Sequence, residues 1–274
     1  MSNIKITILG SGDTLGTPVS GSTTPASLDE DSKRLRFGLL IESGDQTILI
    51  DPNPDLKWQC LSNKFELKHI DHILVTHHHS DHINGLGEFF YRRPTPTKLW
   101  YGNHPLNHKL MEYWKYLEAE KILSFKTFVN FQSFRLGDKV EVLPIELNHS
   151  FPTSGFIISC NDSRIAIVTD TNIDLSKQTL AALEGVDIIF ADAFSENLKQ
   201  VEAVYKECGI KTPDLNTDWF HMTFSDVKSL QQTTRASKIY TVHMSRHLSP
   251  HHELVARYQT DNYIIGQDNL CCSI

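Results

Sequence analysis

Histidine and aspartate residues are concentrated in one short segment of the sequence, directly after an apolar run. The apolar run is Ile73-Leu74-Val75, and the segment that follows reads His77-His78-His79-Ser80-Asp81-His82. In an extended backbone, residues two apart project to the same side, so we expect His77 and His79 to face together and His78 to face elsewhere. Imidazole nitrogens bind zinc and iron, and a neighbouring carboxylate extends the choice to manganese. The spacing therefore indicates a metal site rather than a solvated polar loop or the remnant of a purification tag.

The composition is that of an ordinary globular chain. Its 274 residues are 40% hydrophobic and 22% charged, which argues against disorder and against a collagen-like or coiled-coil protein. A net charge of −7 gives no basic surface for long nucleic acids or anionic membranes. The five cysteines form no C-x-x-C pair, so we expect reduced thiols in a cytoplasmic protein. No signal peptide and no membrane-spanning apolar run is expected.

The segment of residues 77–82 resembles the H-x-H-x-D-H signature of the metallo-β-lactamase superfamily, and the resemblance extends along almost the whole chain. Four further matches stand in the expected order beside apolar runs: Leu49-Ile50-Asp51, Leu147-Asn148-His149-Ser150, Val168-Thr169-Asp170-Thr171 and Thr241-Val242-His243-Met244. A single match of this kind is weak, because a lone histidine or aspartate at a strand end is usually structural. Five matches in the right order are specific.

The resemblance implies two divalent metal ions and assigns their ligands. One ion would be bound by His77, His79 and His149. The other would be bound by Asp81, His82 and His243, with Asp170 bridging the two. Each ion then keeps an open position for a bridging hydroxide, as catalytic metal sites do. The nitrogen and oxygen ligands are compatible with zinc, manganese and iron alike.

Two other residues are assigned supporting roles by the same resemblance. Asp51 would orient the ligands through hydrogen bonds from outside the coordination sphere; the alternative is an aspartate that closes a turn before Pro52. His221, in Phe220-His221-Met222-Thr223, matches the H-x-T element of ribonuclease Z-like phosphodiesterases. There it would act together with Asp170 as a catalytic group, stabilising a phosphoryl oxygen or protonating the leaving alkoxide. The alternative is a surface or helix-capping histidine.

The first loop favours one branch of the superfamily. Residues 9–18 read LGSGDTLGTP, and Leu15 occupies the position where a dinucleotide-binding G-x-G-x-x-G motif needs glycine. The loop looks instead like that of PhnP-like cyclic phosphodiesterases. Some PhnP-like proteins bind an extra structural zinc through cysteines after this loop and a histidine three residues beyond the last ligand. Here the first cysteine is Cys60 and Arg246 stands at the histidine position, so we predict no third zinc.

The expected function is therefore hydrolysis of a small, possibly cyclic, phosphodiester through a bridging hydroxide. Ribonuclease Z itself is disfavoured because the chain lacks the basic surface that RNA phosphates require. Two alternatives stay open: a lactonase or thioesterase on the same fold, and a non-enzymatic carrier or accessory protein of cofactor biosynthesis. The sequence leaves the oligomeric state open, with a homodimer among the options.

The elements that must position these residues alternate along the chain. Short β-branched runs predict strands at residues 4–9, 37–41, 47–50, 72–75, 140–145, 155–159, 164–168, 186–190 and 238–242. Helices are predicted at residues 85–91, 106–120, 176–183, 196–208 and 224–232. Two runs of strands with interspersed helices predict two sheets covered by helices. The resemblance to the superfamily implies the α/β class and a four-layer αββα sandwich of two mixed sheets flanked by helices. We expect one domain over residues 1–274, with an exposed loop at residues 20–32.

Overall fold

The computed structural model of the protein describes residues 4–43, 45–207, 209, 211–212, 214–215 and 219–274. The strands, numbered in chain order, form two seven-stranded sheets. The first sheet contains β1 (Ile4–Gly10), β2 (Gly38–Ser43), β3 (Gln46–Ile50), β4 (His72–Leu74), β5 (Thr97–Gly102), β6 (Leu123–Phe128) and β14 (Cys271–Ser273). The second contains β7 (Phe134–Leu136), β8 (Val140–Leu147), β9 (Thr153–Cys160), β10 (Ser163–Val168), β11 (Ile188–Asp192), β12 (Lys238–Val242) and β13 (Tyr263–Ile265).

The helices lie in the connections between strands. They are α1 (Pro25–Leu28), α2 (Leu56–Asn63), α3 (Ser80–Ile83), α4 (Pro105–Met111), α5 (Lys115–Ala119), α6 (Lys177–Leu183), α7 (Leu198–Glu207), α8 (Phe224–Thr234) and α9 (His251–Tyr258). Short 3₁₀ turns occupy Glu30–Ser32, Leu67–His69, Asn84–Glu88 and Glu112–Trp114. In the part of the chain that the structure describes, no helix combines the length and the apolar composition needed to cross a bilayer.

Each sheet is parallel on one side and antiparallel on the other. The first has the order β14-β1-β2-β3-β4-β5-β6, with antiparallel pairing from β14 to β3 and parallel pairing from β3 to β6. The second has the order β13-β12-β11-β10-β9-β8-β7, with parallel pairing from β13 to β10 and antiparallel pairing beyond. The carboxyl ends of β3 and β4, and likewise those of β10, β11 and β12, therefore share one edge of their sheet.

Three apolar clusters separate the layers. One lies between the sheets and combines residues of both, among them Ile6 and Ile50 from the first and Phe156 and Ile167 from the second. A second joins the outer face of the second sheet to α6, α8 and α9, and a third joins the outer face of the first sheet to α2, α4 and α5. The layers are therefore helix, sheet, sheet and helix, which confirms the predicted αββα sandwich.

The predicted strands all fall on observed strands, whereas several helices differ from the prediction. The helix predicted at residues 85–91 is wrong: a 3₁₀ turn covers Asn84–Glu88 instead. The helix predicted at residues 106–120 is divided into α4 and α5 by another 3₁₀ turn. Of the helix predicted at residues 196–208, residues 198–207 are helical and Cys208 lies outside the described residues. Strands β5, β6, β7 and β14 and helices α1, α2, α3 and α9 were not predicted.

The segment of residues 20–32 contains the short helix α1 and a 3₁₀ turn. Thr24 caps α1 by accepting a hydrogen bond from the Ser27 amide, as N-cap residues do. Most of the segment is exposed, but Ala26 and Ser32 are buried. The Ser32 hydroxyl oxygen accepts a hydrogen bond of 2.7 Å from the His251 amide at the start of α9. The segment is thus anchored to the rest of the fold at its carboxyl end.

A prediction follows from the glycines of the 3₁₀ turn after α3. A Cβ atom on Gly85 would lie 2.1 Å from the Asn53 carbonyl oxygen, whereas one on Gly87 would meet nothing closer than Trp114 at 3.9 Å. We expect Gly85→Ala to lower the free energy of unfolding by about 1–3 kcal/mol, because backbone atoms must move apart. Gly87→Ala, the matched control, should change it little. Denaturant unfolding measures both; equal effects would contradict the steric account.

Candidate active site

The predicted site residues meet at the edge where the carboxyl ends of the two parallel strand groups face each other. The first sheet contributes Asp51 after β3 and residues 77–82 after β4. The second contributes His149 after β8, Asp170 after β10 and His243 after β12. The order of the strands thus brings together, in one cluster, residues that are up to 192 positions apart in the sequence. His221, which precedes α8, lies against the same cluster.

The segment after β4 changes conformation within a few residues. His79 is extended, with φ −67° and ψ 150°, and α3 begins immediately after it. Through the extended part, His77 and His79 face together, with Nε2 of His77 2.9 Å from Nδ1 of His79. His78 faces away and packs edge-on against Tyr101. The helical turn then directs Asp81 and His82 back to the cluster, where both are buried.

His149 completes the first group of histidines. Its Nε2 lies 3.3 Å from Nδ1 of His79, and the three rings of His77, His79 and His149 meet edge to face. Burial lowers the pKa of His149 to about 3, against the opposing effect of Asp170. Burial, together with the neighbouring His82, also places the pKa of His77 well below the ordinary histidine value. These rings are therefore neutral at physiological pH, the form in which imidazole binds a metal.

A second group, rich in carboxylates, lies beside the first. Nε2 of His82 is 3.2 Å from Oδ2 of Asp81, and Nε2 of His243 is 3.9 Å from the same oxygen. Burial alone would lower the pKa values of these histidines, but Asp170 and Asp81 raise that of His82 well above its ordinary value. For the same reason the pKa of His243 rises to about 9. Without a metal ion, both rings therefore hold a proton at neutral pH.

Asp170 lies between the two groups. Its Oδ1 is 3.9 Å from Nε2 of both His77 and His149, and 3.3 Å from Nε2 of His243. Its Oδ2 is 3.3 Å from Nε2 of His82. Burial raises the pKa of this carboxyl, but His243 and His82 outweigh that effect and hold it well below the ordinary aspartate value. An ionised carboxylate with an oxygen facing each group is suited to bridge two cations.

Asp51 contacts the cluster through Thr76 and His82. It is fully buried, and its Oδ1 accepts a hydrogen bond of 2.8 Å from the Thr76 amide. Its Oδ2 accepts one of 2.7 Å from the Thr76 hydroxyl and lies 2.8 Å from Nδ1 of His82. Because Nδ1 is engaged in this way, Nε2 of His82 is the nitrogen directed to Asp81 and Asp170. The contacts match those of a ligand-orienting carboxylate.

Three residues of the cluster adopt the left-handed backbone conformation. Asp51, Asp170 and His243 each have φ +55° and each stands one or two residues beyond the end of a strand. The conformation is uncommon for residues other than glycine, although aspartate and histidine enter it more readily than most. It turns the backbone sharply at the sheet edge, and such local strain is typical of functional sites.

His221 is held by a residue that sequence reasoning missed. Its Nδ1 lies 2.7 Å from Oδ2 of Asp192, a fully buried residue at the carboxyl end of β11. The ring stacks on His243, with centroids 5.1 Å apart and planes at 8°, and on Phe194 at 5.1 Å and 27°. Thr223, not His221, caps α8. An aspartate that ends an apolar run, as in Ile188-Ile189-Phe190-Ala191-Asp192, is the signal that could have found it.

A pocket of about 350 Å³ opens above the cluster. It is lined by Thr14, His79, His149, Ser150, Asp170, Tyr205, Trp219, Phe220 and His221. His221 and Asp170 therefore border the same space as the histidine ligand candidates. Aromatic side chains form one wall of the pocket, namely those of Tyr205, Trp219 and Phe220. The pocket suits a small polar group held against the cluster, with an apolar substituent beside it.

The donor set fits divalent metal ions. Groups of ligand atoms within 4.8 Å of one another include His77, His79 and His149, and also Asp81, His82 and His243. Among the described residues, Nε2 of His82 and Nε2 of His243 are buried and have no hydrogen-bond partner of normal geometry. Buried polar atoms of this kind are expected where a cation binds. Buried Arg246 offers no ligand atom, and the absence of a third zinc stays a prediction.

Comparison with known sequences finds a family and partial relatives. The model of the "Beta-lactamase superfamily domain" matches residues 46–244. A 3',5'-cAMP/cGMP phosphodiesterase B of Dictyostelium discoideum is 26% identical over 145 residues, which are 51% of this chain and 13% of that protein. The chain aligns with less than a fifth of the length of the curated relatives it matches.

Comparison with solved structures finds the same fold over the whole chain. A diphosphatase of the PhnP family superimposes with a TM-score of 0.80 at 22% identity, covering 100% of this chain and 98% of that one. Zinc-bound PqqB from Methylobacterium extorquens gives a TM-score of 0.77 at 16% identity, covering 98% and 100%. At these identities the structures show the fold alone. The family match covers well over half of the chain, and the protein therefore belongs to the metallo-β-lactamase superfamily.

Proposed function

We propose that the protein is a dinuclear metal-dependent phosphodiesterase of the PhnP-like branch that hydrolyses small phosphodiesters, cyclic ones included. The observation that carries this proposal is the pair of His221 and Asp192 beside the ligand cluster. A metal-binding cluster alone is common to the whole superfamily and does not define a reaction. A histidine that is held by a buried carboxylate and borders the reaction pocket adds a group for proton transfer.

The geometry of His221 suits protonation of a leaving oxygen. Asp192 accepts a hydrogen bond from Nδ1–H, which fixes the tautomer and orientation of the ring. Stacking on His243 and Phe194 restricts rotation of the ring. The remaining nitrogen, Nε2, is then free to give a proton to an alkoxide as it departs from phosphorus. A poor leaving group such as a ribose oxygen gains most from this assistance.

The metal ions would be held by the two ligand groups. His77, His79 and His149 would bind one ion, Asp81, His82 and His243 the other, and Asp170 both. When bound, two divalent ions supply a nucleophilic hydroxide at neutral pH and neutralise charge on the phosphoryl oxygens. The chain itself orients the ligands: Asp51 fixes His82 through Nδ1, and the left-handed turns fix Asp170 and His243. Zinc, manganese and iron all suit these ligands.

The relatives and the charge support a small diester as the substrate. A matched relative is named for cyclic nucleotide hydrolysis and a similar structure for diphosphate hydrolysis, both reactions at phosphorus. The net charge of −7 disfavours a long nucleic acid, which needs an extended cationic surface. Two divalent ions would place their positive charge where an anionic phosphodiester binds. A non-enzymatic carrier has no specific task for His221. A lactonase also releases an alkoxide that His221 could protonate, so that alternative is separated by the substrate test.

A substrate panel separates these functions. The metal-loaded protein should hydrolyse bis(p-nitrophenyl) phosphate and cyclic nucleotides, and should leave lactones and thioesters largely intact. Faster turnover of lactones or thioesters would replace the proposal with another hydrolase activity. A protein that binds metal and hydrolyses none of these substrates would favour a carrier role.

Removing the imidazole of His221 tests its role in proton transfer. We expect His221→Ala to lower kcat on a diester with an alkoxide leaving group by about 10²–10⁴-fold, because general acid catalysis is lost. Metal content, measured by elemental analysis, should stay near that of the wild type. Asp192→Asn should lower kcat in the same direction. The control is His252→Ala, which alters an exposed histidine. Loss of both metals in His221→Ala would identify His221 as a ligand or a structural residue instead.

Removing the carboxylate of Asp170 tests its role as a bridging ligand. Asp170→Ala removes the carboxylate that faces both groups, so we expect metal content and activity to fall together. The control is Asp174→Ala, an exposed carboxylate four residues away. Elemental analysis and the diester assay should be run on the same preparations. Full activity of the Asp170 variant would exclude the bridging role.

Metal binding to the group that contains His82 and His243 should release protons. The raised pKa values of His82 and His243 mean that metal binding to their group must displace protons at pH 7. The affinity of that site should therefore rise with pH until it passes the His243 pKa of about 9. The lowered pKa values of His77 and His149 predict little proton release from the other site at the same pH. Calorimetry in two buffers of different ionisation enthalpy measures the release; the absence of any buffer dependence would contradict the prediction.

A further inference from the structure

The connection that follows the bridging aspartate contains a carboxamide that the chemistry proposed above does not use. Asn172 lies two residues beyond Asp170, in the connection between β10 and α6, and is half-buried. Its main-chain N–H donates a hydrogen bond of 3.3 Å to the carbonyl oxygen of Asn148, the residue before His149. Its side chain reaches the segment that contains His221. Asn172 therefore contacts the connection of one ligand candidate and the segment of the candidate acid.

Both polar atoms of the Asn172 carboxamide have partners of the matching type. Oδ1 accepts hydrogen bonds of 3.1 Å from the Asp174 amide and 3.0 Å from Nδ2 of Asn148. Nδ2 donates one of 3.0 Å to the Trp219 carbonyl oxygen. Because a main-chain N–H can only donate and a carbonyl oxygen can only accept, these partners determine which way the carboxamide faces. An aspartate at this position would have no donor for Trp219.

The bond to Trp219 anchors the segment of His221 on its amino-terminal side. On the carboxyl-terminal side, the Met222 carbonyl oxygen accepts a hydrogen bond of 3.0 Å from the Phe194 amide, beyond β11. His221 therefore lies between two backbone anchors, one on the connection after β10 and one on the connection after β11. The anchor at Met222 joins two main-chain groups, whereas the anchor at Trp219 depends on a side chain and can be removed by substitution.

Trp219 is packed directly against the His221 ring. The indole is buried, and its centroid lies 5.2 Å from that of His221, with the planes at 58°. Phe194 lies 5.1 Å from both rings. Closely packed rings of this kind cannot move independently, because interiors leave few voids. A shift of the Trp219 backbone would therefore move His221 relative to Asp192, which lies 2.7 Å from its Nδ1.

We propose that Asn172 is a positioning residue, which holds His221 at the place that proton transfer to a leaving oxygen requires. The proposal rests on the role of His221 in the function proposed above. Asn172 is not among the residues that line the pocket, so it acts through Trp219 and His221 and not on the substrate. A displacement of about 1 Å in a reacting group can lower a rate by about 10²-fold, which makes such an anchor consequential.

The leaving group separates positioning from a general structural role. p-Nitrophenolate departs without receiving a proton, whereas the ribose oxygen of 2',3'-cyclic AMP departs as an alkoxide that needs one. The substrates are therefore bis(p-nitrophenyl) phosphate and 2',3'-cyclic AMP, and the metal content of each preparation is measured.

Two substitutions remove the anchor in different ways. Asn172→Ala removes the whole carboxamide. Asn172→Asp keeps the acceptor for Asp174 and Asn148 but places an oxygen opposite the Trp219 carbonyl. The matched control is Asn262→Ala, at an exposed asparagine before β13, on the opposite edge of the second sheet.

We expect both Asn172 variants to lower kcat for 2',3'-cyclic AMP at least tenfold and kcat for bis(p-nitrophenyl) phosphate less than twofold, with metal content unchanged. Asn262→Ala should change neither rate. Equal losses on the two substrates, whether from misfolding or from loss of metal, would overturn the proposal. Unchanged rates on both substrates would overturn it as well.

A double variant tests whether Asn172 acts through His221. Because His221→Ala already removes the proton donor, adding Asn172→Ala in that background should lower kcat for 2',3'-cyclic AMP less than twofold further. If the two losses multiply instead, Asn172 acts independently of His221 and the proposal is wrong.

A measurement without turnover separates this proposal from the proposed function. In the zinc-loaded protein, NMR detects the Nδ1 proton of His221, assigned by its loss in His221→Ala, and the bond to Asp192 slows its exchange with water. We expect that exchange to be at least tenfold faster in Asn172→Ala and unchanged in Asn262→Ala. If it is, but no diester is hydrolysed, the anchoring of His221 stands and the phosphodiesterase function fails. If diesters are hydrolysed but the exchange is the same in Asn172→Ala, or is too fast to detect in the wild type, the positioning role is wrong.

Discussion

The burial of the Asp170 carboxylate between two groups of histidines is the constraint on which the site depends. An ionised group that is 2% exposed is costly unless positive charge lies close to it. His82 and His243, each 3.3 Å away, supply that charge as protonated rings when no metal is bound. Cations can take the place of those protons with the same ligand atoms. The buried carboxylate therefore has positive charge beside it whether the rings hold protons or the ligand atoms hold cations.

The arrangement of the two sheets places that carboxylate between the two groups of histidines. Each has parallel strands whose carboxyl ends reach a common edge, and the packed inner faces bring the two edges together. Left-handed turns at Asp51, Asp170 and His243 direct the chain across the edge. The rigid apolar layer between the sheets supports these turns, because a loosely packed edge could not maintain three residues in an uncommon conformation.

The sequence predicted the parts of the site that obey a local rule. Alternation in an extended segment correctly predicted that His77 and His79 face together and that His78 faces elsewhere; the structure places His78 against Tyr101. Local sequence rules failed to predict features that depend on contacts between residues far apart in the sequence. Asp192 was missed because its role is defined by His221, 29 residues away. The helix predicted at residues 85–91 was wrong because Gly85 lies against the Asn53 backbone, a contact that no local pattern contains.

The sequence by itself determined the donor types, the fold class and the short-range geometry of residues 77–82, since these follow from residue chemistry and strand or helix periodicity. The resemblance to the superfamily already implied which residues group around Asp170, whereas only the tertiary structure decided which histidine pKa values rise and which fall, and that Asp192 holds His221. The physical reason is the same in each case: electrostatic and steric effects depend on distances between chain segments, and those distances are set by the packing of the sheets.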